Sequence, residues 1–517
     1  MADCASTHNT GPVAEIMTLL ETLILGLYFF ILVILGVYGW HRYYLVYAYM
    51  KNKDRVPGPP PVWDGPLPVV TIQLPIYNEM YVIDRLVQAT ARMDYPRELL
   101  EIQVLDDSTD ETAEVARRAV DRLAAQGFDI KYYHRTGRTG YKAGALDAGL
   151  KEARGQFVAI FDADFIPSAD FLNKTVPYFQ DPRIGLVQAR WGHVNQDYSL
   201  LTKAQAILLD GHFVLEHGGR NRAGHFFNFN GTAGIWRREV ISAAGGWQHD
   251  TLTEDLDLSY RAQLLGWKFL FLPNLVAPAE VPVEMNAFKS QQHRWAKGSI
   301  QVCLKLLSRI LQSNQPFGVK AEAFFHLTAN FNYVLMSLLC ILMFPSMVIR
   351  YNMGWYEMLL IDVPLFFAAT ASVANFYVVS QRELYPDSWK ARLRYIPFLM
   401  ALGIGLTVNN TRAVIEALLK RESAFARTPK YGIERGSDEW NGKKYHQFVA
   451  LQPLVEIALG LYFTMTVFYA LANGIYGTLP FLVLFQVGFL YTGLLSVIQQ
   501  FGGGHGAVLS TQVAGGK

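Results

Sequence analysis

Long apolar runs set the outer limits on what this chain can fold into. Met17 to Trp40 is apolar apart from Thr18, Glu21 and Thr22. It is long enough to cross a bilayer, which takes about 20 helical residues. No basic stretch precedes it and no small-residue cleavage site follows, so it reads as an anchor and not a signal peptide. Phe325 to Ile349, Val363 to Ser380, Phe448 to Ala472 and Leu479 to Val497 are further candidate spans. Inside lipid the backbone has to satisfy its own hydrogen bonds, so such spans are helices. A hydrophobic share of 51% agrees with several of them.

Charge sets the expected topology. His41, Arg42, Lys51, Lys53 and Arg55 follow the first span, so that flank is expected in the cytoplasm and the N-terminus outside. Tyr395 to Leu419 is apolar only over Pro397 to Val408, and then carries Asn409, Asn410, Thr411, Arg412 and Glu416. Charge at the bilayer centre is costly. A crossing there would also put Lys420, Arg421, Arg427, Lys430, Arg435, Lys443 and Lys444 outside. The segment is therefore read as an amphipathic helix in the cytoplasmic interface, leaving about five spans. The net charge of +2 is too small to argue for a nucleic-acid partner. Cys4, Cys303 and Cys340 lie too far apart in sequence for a disulfide framework or a metal-ligand set.

Between the membrane segments the pattern changes. Val56 to Pro68 is proline-rich and reads as a stiff linker. From Val69 to Gln315, short apolar runs alternate with polar, helix-like stretches, the pattern of a water-soluble α/β domain. Phe157-Val-Ala-Ile-Phe-Asp-Ala-Asp-Phe165 reads as a strand buried on both faces that stops at two carboxylates. Open α/β sheets bind ligands beyond their strand ends. Asp162 and Asp164 are two apart, so in extended chain they face the same way and offer hard oxygens to Mg²⁺ or Mn²⁺. The same pair equally suits an N-cap, since Pro167 and Ser168 follow.

Other polar groups recur at such places. The run from Ile102 ends in Asp106 and Asp107, able to accept from a base or a ribose, or simply to cap a helix. Tyr77 and Glu79 follow the first strand. Lys142 lies between glycines and can present a cation to phosphate, but the Walker A spacing is absent. Thr251 and Glu254 have capping-box spacing, with Asp255 in the first turn either complementing the helix dipole or serving as a general base. Gln291, Arg294 and Trp295 bring an amide, a guanidinium and an indole into five residues.

In this order the motifs Tyr77-Asn-Glu79, Asp106-Asp107, Lys142, Asp162-x-Asp164, Thr253-Glu-Asp255 and Gln291-x-x-Arg294-Trp295 resemble a processive family 2 glycosyltransferase. Cellulose, hyaluronan and chitin synthases are relatives. Phe425-Ala-Arg-Thr-Pro-Lys430 resembles the cellulose synthase gating loop, Phe-x-Val-Thr-x-Lys, and departs from it at Arg427. The combined pattern looks most like cellulose synthase-like A and C proteins, which make mannan or glucomannan and a β-glucan backbone, and their bacterial relatives.

The resemblance implies an α/β GT-A, Rossmann-like cytoplasmic domain inserted between transmembrane helices, with an α-helical membrane channel. Residues 1–55 would be the anchor and its flank, 56–68 the linker and 69–315 the GT-A domain. Residues 316–500 would hold the membrane and interface helices with a gating-like loop at 420–444, and 501–517 a flexible tail. Tyr77, Glu79, Asp106, Asp107, Lys142, Asp162, Arg294 and Lys430 would bind the nucleotide and donor. Asp162 and Asp164 would hold Mn²⁺ or Mg²⁺. Asp255 would be the base, and Gln291, Trp295 and Glu254 would meet the acceptor.

One base without a carboxylate nucleophile implies single displacement with inversion, hence a metal-dependent inverting hexosyltransferase. It would extend and translocate a growing β-linked polysaccharide, of β-1,4-mannan or glucomannan type, in contact with lipid of the plasma or inner membrane. GDP-mannose and UDP-glucose remain open as donors, and with them a cellulose-like β-glucan product. A ceramide-type lipid glucosyltransferase shares much of the motif set, but the four later spans and the gating-loop match favour a polymer.

Overall fold

The computed structural model describes residues 12–354, 364–365, 367–422, 425–445 and 451–502. A mixed seven-stranded sheet forms the centre of the polar region. Its strands are β1 Val70–Ile76, β2 Leu100–Asp106, β3 Asp129–His134, β4 Phe157–Ile160, β5 Ile184–His193, β6 Gly234–Arg237 and β7 Lys268–Ala279. Their order is β3-β2-β1-β4-β6-β5-β7. β1 to β4 pair in parallel, β6 runs antiparallel to both β4 and β5, and β7 is parallel to β5. β1, β2 and β4 are buried along their whole length: β4 is an unbroken apolar run, whereas β1 and β2 also bury polar residues that pair between them, the Thr71 hydroxyl donating to Glu101 at 2.7 Å and Gln73 Nε2 to Gln103 Oε1 at 3.0 Å.

Helices cross back over both faces. On one side Val70, Ile72 and Leu74 pack with Leu86 and Val87 of α2 (Ile83–Ala91) and Ala116 and Val120 of α3 (Thr112–Ala124). On the other, Val158 and Ile160 pack with Leu146 and Leu150 of α4 (Tyr141–Glu152), and with Trp236. Parallel pairing aligns the carboxyl ends of β1, β2 and β4 along one edge, with Ile76 opposite Asp106. That edge is where the acidic motifs of the sequence fall.

Among the described residues four helical segments are long and apolar enough to cross a membrane: Leu19–Lys51, Phe317–Asn352, Gln452–Ala472 and Tyr476–Gln500. These mark an integral membrane protein. The span expected at Val363 to Ser380 begins outside the described residues; its later part is a π-helical turn, Phe367–Ala371, leading into a helix, Ser372–Leu384. The start of the span expected from Phe448, and residues 503–517 of the expected tail, also lie outside them.

The single amphipathic helix expected over Tyr395 to Leu419 is a bent pair. Helices Ile396–Gly405 and Thr407–Leu418 meet at a bend of 42°. A side chain on Gly405 would strike Thr492, and one on Gly488 would strike the Ala401 carbonyl. Small residues let these backbones touch, the packing mode that serves where lipid removes the hydrophobic drive. The bend lets the apolar half meet the last span while the polar half carries Asn409 and Asn410 inward, both buried.

Candidate active site

The strand ends open into one cleft. The chain leaves β1 at Tyr77 and turns at Asn78, whose φ of 53° is a left-handed value asparagine tolerates. The Asn78 N–H donates to Ser108 Oγ at 2.8 Å and the Thr109 N–H to Asn78 Oδ1 at 2.9 Å, bracing the loops after β1 and β2 together. The Arg138 guanidinium lies 3.3 Å above the Tyr77 ring. Asp107 accepts a bidentate pair from Arg135, Nε at 2.8 Å and Nη2 at 2.6 Å. Tyr77, Glu79, Asp107, Arg138 and Lys142 all line the cleft.

Asp106 departs from its expected nucleotide-binding role. It is fully buried and does not line the cleft. Its carboxylate accepts the Ser108 N–H at 2.8 Å and the Tyr132 hydroxyl at 2.6 Å. As the last residue of β2 it points away from its neighbour Asp107, the alternation any strand imposes.

Asp162 and Asp164 both line the cleft, but not as two teeth of one extended strand. β4 ends at Ile160 and the chain turns, with the Phe165 N–H donating to the Asp162 carbonyl at 3.0 Å. Lys142 Nζ donates to Asp162 Oδ1 at 2.5 Å and to the Gly231 carbonyl at 2.9 Å. Lys430 Nζ donates to Asp164 Oδ2 at 2.7 Å. Burial works against the Lys142 ammonium, but Asp162 and Glu254 outweigh it and raise its pKa. Tyr141 and Ala233 have φ of 48° and 53°, values bulky or β-carbon-bearing residues rarely adopt, and such strain concentrates at functional sites.

Glu79 stands near both acids. Burial, reinforced by Asp164 and Asp162 and opposed by Arg427, pushes its carboxyl up to about 7. No group of three or more His, Cys, Asp or Glu side chains among the described residues forms a ligand set. Two carboxylates with hard oxygens toward the cleft still fit a divalent ion that takes its other ligands from diphosphate and water.

The far wall comes from two helices. One spans Glu254–Leu264. The expected capping box does not form: Thr253 occupies the N-cap without a side-chain bond, and the Thr251 hydroxyl has no partner among the described residues. Glu254 is instead the first helical residue, buried at the cleft. Asp255 follows, its Oδ1 accepting the Leu256 N–H at 2.8 Å. Burial and the adjacent Glu254 push Asp255 up to about 7, against the Leu256 N–H and Lys142. The desolvation of a part-covered acid thus outweighs the lowering expected at a helix start.

The second helix, Met285–Gln312, brings Gln291, Arg294 and Trp295 into the cleft. Arg294 Nη1 donates to the Ala426 carbonyl at 3.1 Å, and its guanidinium lies 4.6 Å from the Phe425 ring. Phe425, Arg427, Thr428 and Lys430 lie in the cleft, so the gating-like segment closes over it. Glu280, just past β7, holds that segment by accepting the N–H groups of Tyr431 at 3.0 Å, Gly432 at 2.8 Å and Ile433 at 3.3 Å. Sequence reading gave no role to Glu280, Arg135 and Arg138, nor to His193 and Asn230, which also line the cleft. Glu280 and Arg135 each directly follow a strand, the one signal that could have marked them.

A parallel-strand edge lined with acids and facing a basic segment, flanked by membrane helices, defines a GT-A-like domain in a membrane protein. Residues 68–298 match the family described as Glycosyltransferase like family 2, and this segment is a family 2 glycosyltransferase domain, as its motifs implied. Glucomannan 4-beta-mannosyltransferase 2 of Arabidopsis thaliana is 45% identical over 253 residues, 48% of this chain and 47% of the relative. Glucomannan 4-beta-mannosyltransferase 1 of Oryza sativa subsp. japonica is 42% identical over 268 residues, 51% of each. The chain spans about half the length of the curated relatives it matches. Among solved structures, the mannosyltransferase PcManGT of Pyrobaculum calidifontis, in complex with GDP-Man and Mn²⁺, aligns with a TM-score of 0.50 at 20% identity. That alignment covers 76% of this chain and 99% of that one, and speaks for the fold.

Proposed function

We propose that this protein is a membrane-embedded, inverting glycosyltransferase that polymerises a β-1,4-mannan or glucomannan from GDP-mannose and passes it into the membrane. One observation carries the reading: a single cleft gathers the strand-end acids, a carboxylate poised near neutrality and the basic gating-like segment. Likeness to glucomannan mannosyltransferases supports mannose as the sugar.

Each side chain has a task. Tyr77, Asp107 and Arg138 lie where the nucleotide enters. Asp162 and Asp164 would hold a Mn²⁺ or Mg²⁺, which offsets charge on the departing diphosphate. Arg294 and Lys430 meet diphosphate oxygens. Asp255 takes the proton from the acceptor hydroxyl as that oxygen attacks the anomeric carbon, inverting it. Trp295 stacks on the acceptor sugar and Gln291 hydrogen-bonds it. The basic flank after the first span supports an N-terminus outside and a catalytic domain in the cytoplasm, at the plasma or inner membrane.

The test is a donor panel. Purified protein in nanodiscs should consume GDP-mannose and yield a polymer that β-1,4-mannanase digests. A cellulase-sensitive polymer from UDP-glucose would make it a β-glucan synthase. A lipid carrying one sugar would refute polymerisation.

A further inference from the structure

Each of the two acids that would hold the divalent ion already has a lysine. Lys142 Nζ donates to Asp162 Oδ1 and Lys430 Nζ to Asp164 Oδ2, so two carboxylates face two ammonium groups. The lysines differ in how they are held. Lys142 stands in the first turn of α4, and its other bond, to the Gly231 carbonyl, ties it to the loop ahead of β6. Lys430 comes from the gating-like segment, where Phe425 to Tyr445 form neither helix nor strand. Lys142 is thus built into the domain, whereas Lys430 is brought to Asp164 by a loop. Arg427 of the same loop likewise faces an acid, its Nε 3.8 Å from Glu79 Oε1.

Glu280 grips the loop around Lys430. Its carbonyl accepts Lys430 Nζ at 2.5 Å, and its carboxylate accepts the N–H groups just after Lys430. Its own N–H donates to Asp164 Oδ2 at 3.1 Å. Asp164, Glu280 and Lys430 are all buried. A second cation at Asp164 Oδ2 would meet the ammonium at short range where little water screens it, and like charges there repel strongly. Nor does the ammonium leave without a destination, because a buried charge deprived of its partner is costly. Whatever cation takes Asp164 has to expel Lys430, and Lys430 then needs another anion in the same cleft. A nucleotide sugar's diphosphate is such an anion.

We infer that Lys430 competes with the divalent metal for Asp164, and yields that carboxylate only when a donor's diphosphate takes over its charge, so that metal and donor bind together and neither binds well alone. This rests on the glycosyltransferase reading above. Coupling of this kind is reciprocal: the factor by which nucleotide tightens the ion is the factor by which the ion tightens nucleotide.

The experiment follows Mn²⁺ binding to the full chain in nanodiscs by electron paramagnetic resonance, without nucleotide and with saturating GDP. In the wild type, GDP should tighten Mn²⁺ about tenfold or more, the worth of one hydrogen bond between charged partners. Lys430→Met, of similar length but uncharged, should bind Mn²⁺ alone about tenfold tighter than the wild type, and gain less from GDP. Lys430→Arg should behave as the wild type. Adding Asp164→Asn to Lys430→Met should abolish the gain, assigning it to this carboxylate. A lysine that only held the loop in place would, once removed, leave Mn²⁺ binding unchanged or weaker, and either result overturns the inference. Should Lys430→Met not fold, hydrogen exchange in the wild type decides. Saturating Mn²⁺ alone should speed exchange of the Tyr431, Gly432 and Ile433 N–H groups, and GDP added with it should slow them again. Exchange that ignores Mn²⁺ overturns the inference, as does a wild-type Mn²⁺ affinity that GDP leaves unaltered. Both outcomes leave the glycosyltransferase reading intact, which falls instead if the protein transfers sugar from no nucleotide donor.

Discussion

Changing Asp255 to Asn keeps the side chain's shape and removes its basicity. A positioned general base contributes roughly 10²–10⁴-fold, so transfer should fall by that factor while donor affinity stays within a few-fold. The pH dependence follows from the site. As the proposed base, Asp255 would work only when ionised, and burial with Glu254 beside it raises its pKa to about 7. Transfer should therefore rise with pH and level off above neutrality. At pH 6 roughly one-tenth of the base is ionised, so the rate should be about tenfold below the plateau. Glu254→Gln removes a negative neighbour that favours protonation, so the rising limb should move to lower pH. The move should be partial, because burial is the larger cause. Glu79 is also raised to about 7, so Glu79→Gln is the control: the limb should persist. The assay is initial transfer rate against pH at saturating donor, with nucleotide affinity by calorimetry. Transfer that survived in Asp255→Asn but vanished in Glu254→Gln would mean the neighbouring acid is the base. A limb that moved upward in Glu254→Gln would refute the electrostatic argument.

Three further expectations follow from the same geometry. Asp164→Asn should abolish transfer and weaken Mn²⁺ binding read by electron paramagnetic resonance, and EDTA should inactivate reversibly; full activity in EDTA would end the metal assignment. Trp295→Ala should shorten the polymer and harm acceptor use, whereas Arg294→Ala should weaken nucleotide diphosphate binding by about tenfold or more, as loss of a charge-assisted contact does; unchanged polymer length in Trp295→Ala would remove its stacking role. A cysteine at Ser437, which is exposed, should react with an impermeant maleimide only from the cytoplasmic side in a Cys4→Ser background, since Cys303 and Cys340 are buried; labelling from outside would reverse the topology.

What the sequence disclosed was what local patterning controls. β4 announced itself as the unbroken apolar run ahead of Asp162, Phe157 to Phe161, one residue longer than the strand itself. The acids were found because a strand end is a place the chain order defines. Asp106 was misread because its neighbour Asp107 has the same chemistry, and only the strand's alternation separates them. Glu254 was read as a cap because Thr251 has the right spacing, but the helix starts at Glu254 itself, beyond that box. The bend at Leu406 was hidden because it depends on Gly405 meeting Thr492, a contact between segments far apart in sequence. Glu280 gains its meaning from partners that only folding brings near.

The helix Met285–Gln312 ties the cleft to the membrane helices. Lys289, His293 and Lys297 are four apart and share one stripe, whereas Gln291, Arg294, Trp295 and Gly298 face the site. On the first stripe the Lys289 ammonium pairs with Glu456 and donates to Ser496 Oγ at 2.7 Å, binding the helix to the last two spans. His293 and Lys297 both approach Glu416 Oε2 at 3.2 Å, binding it to the bent pair. Lys289 and Glu456 are buried, an arrangement that adds little net stability but specifies one geometry, because either charge left alone would be costly. On the second stripe, a side chain at Gly298 would come within 2.5 Å of Thr253 Cγ2 and 2.9 Å of its backbone nitrogen. The missing Cβ lets this helix press directly on the residue that precedes Glu254 and Asp255. Lys297 also donates to the Arg421 carbonyl at 2.7 Å, pinning the entrance of the gating-like segment, and Glu280 pins its far part. A shift of the last spans would thus be transmitted to Gln291, Arg294 and Trp295, to Glu254 and Asp255, and to the gating-like segment, the coupling that the proposed polymerisation calls for.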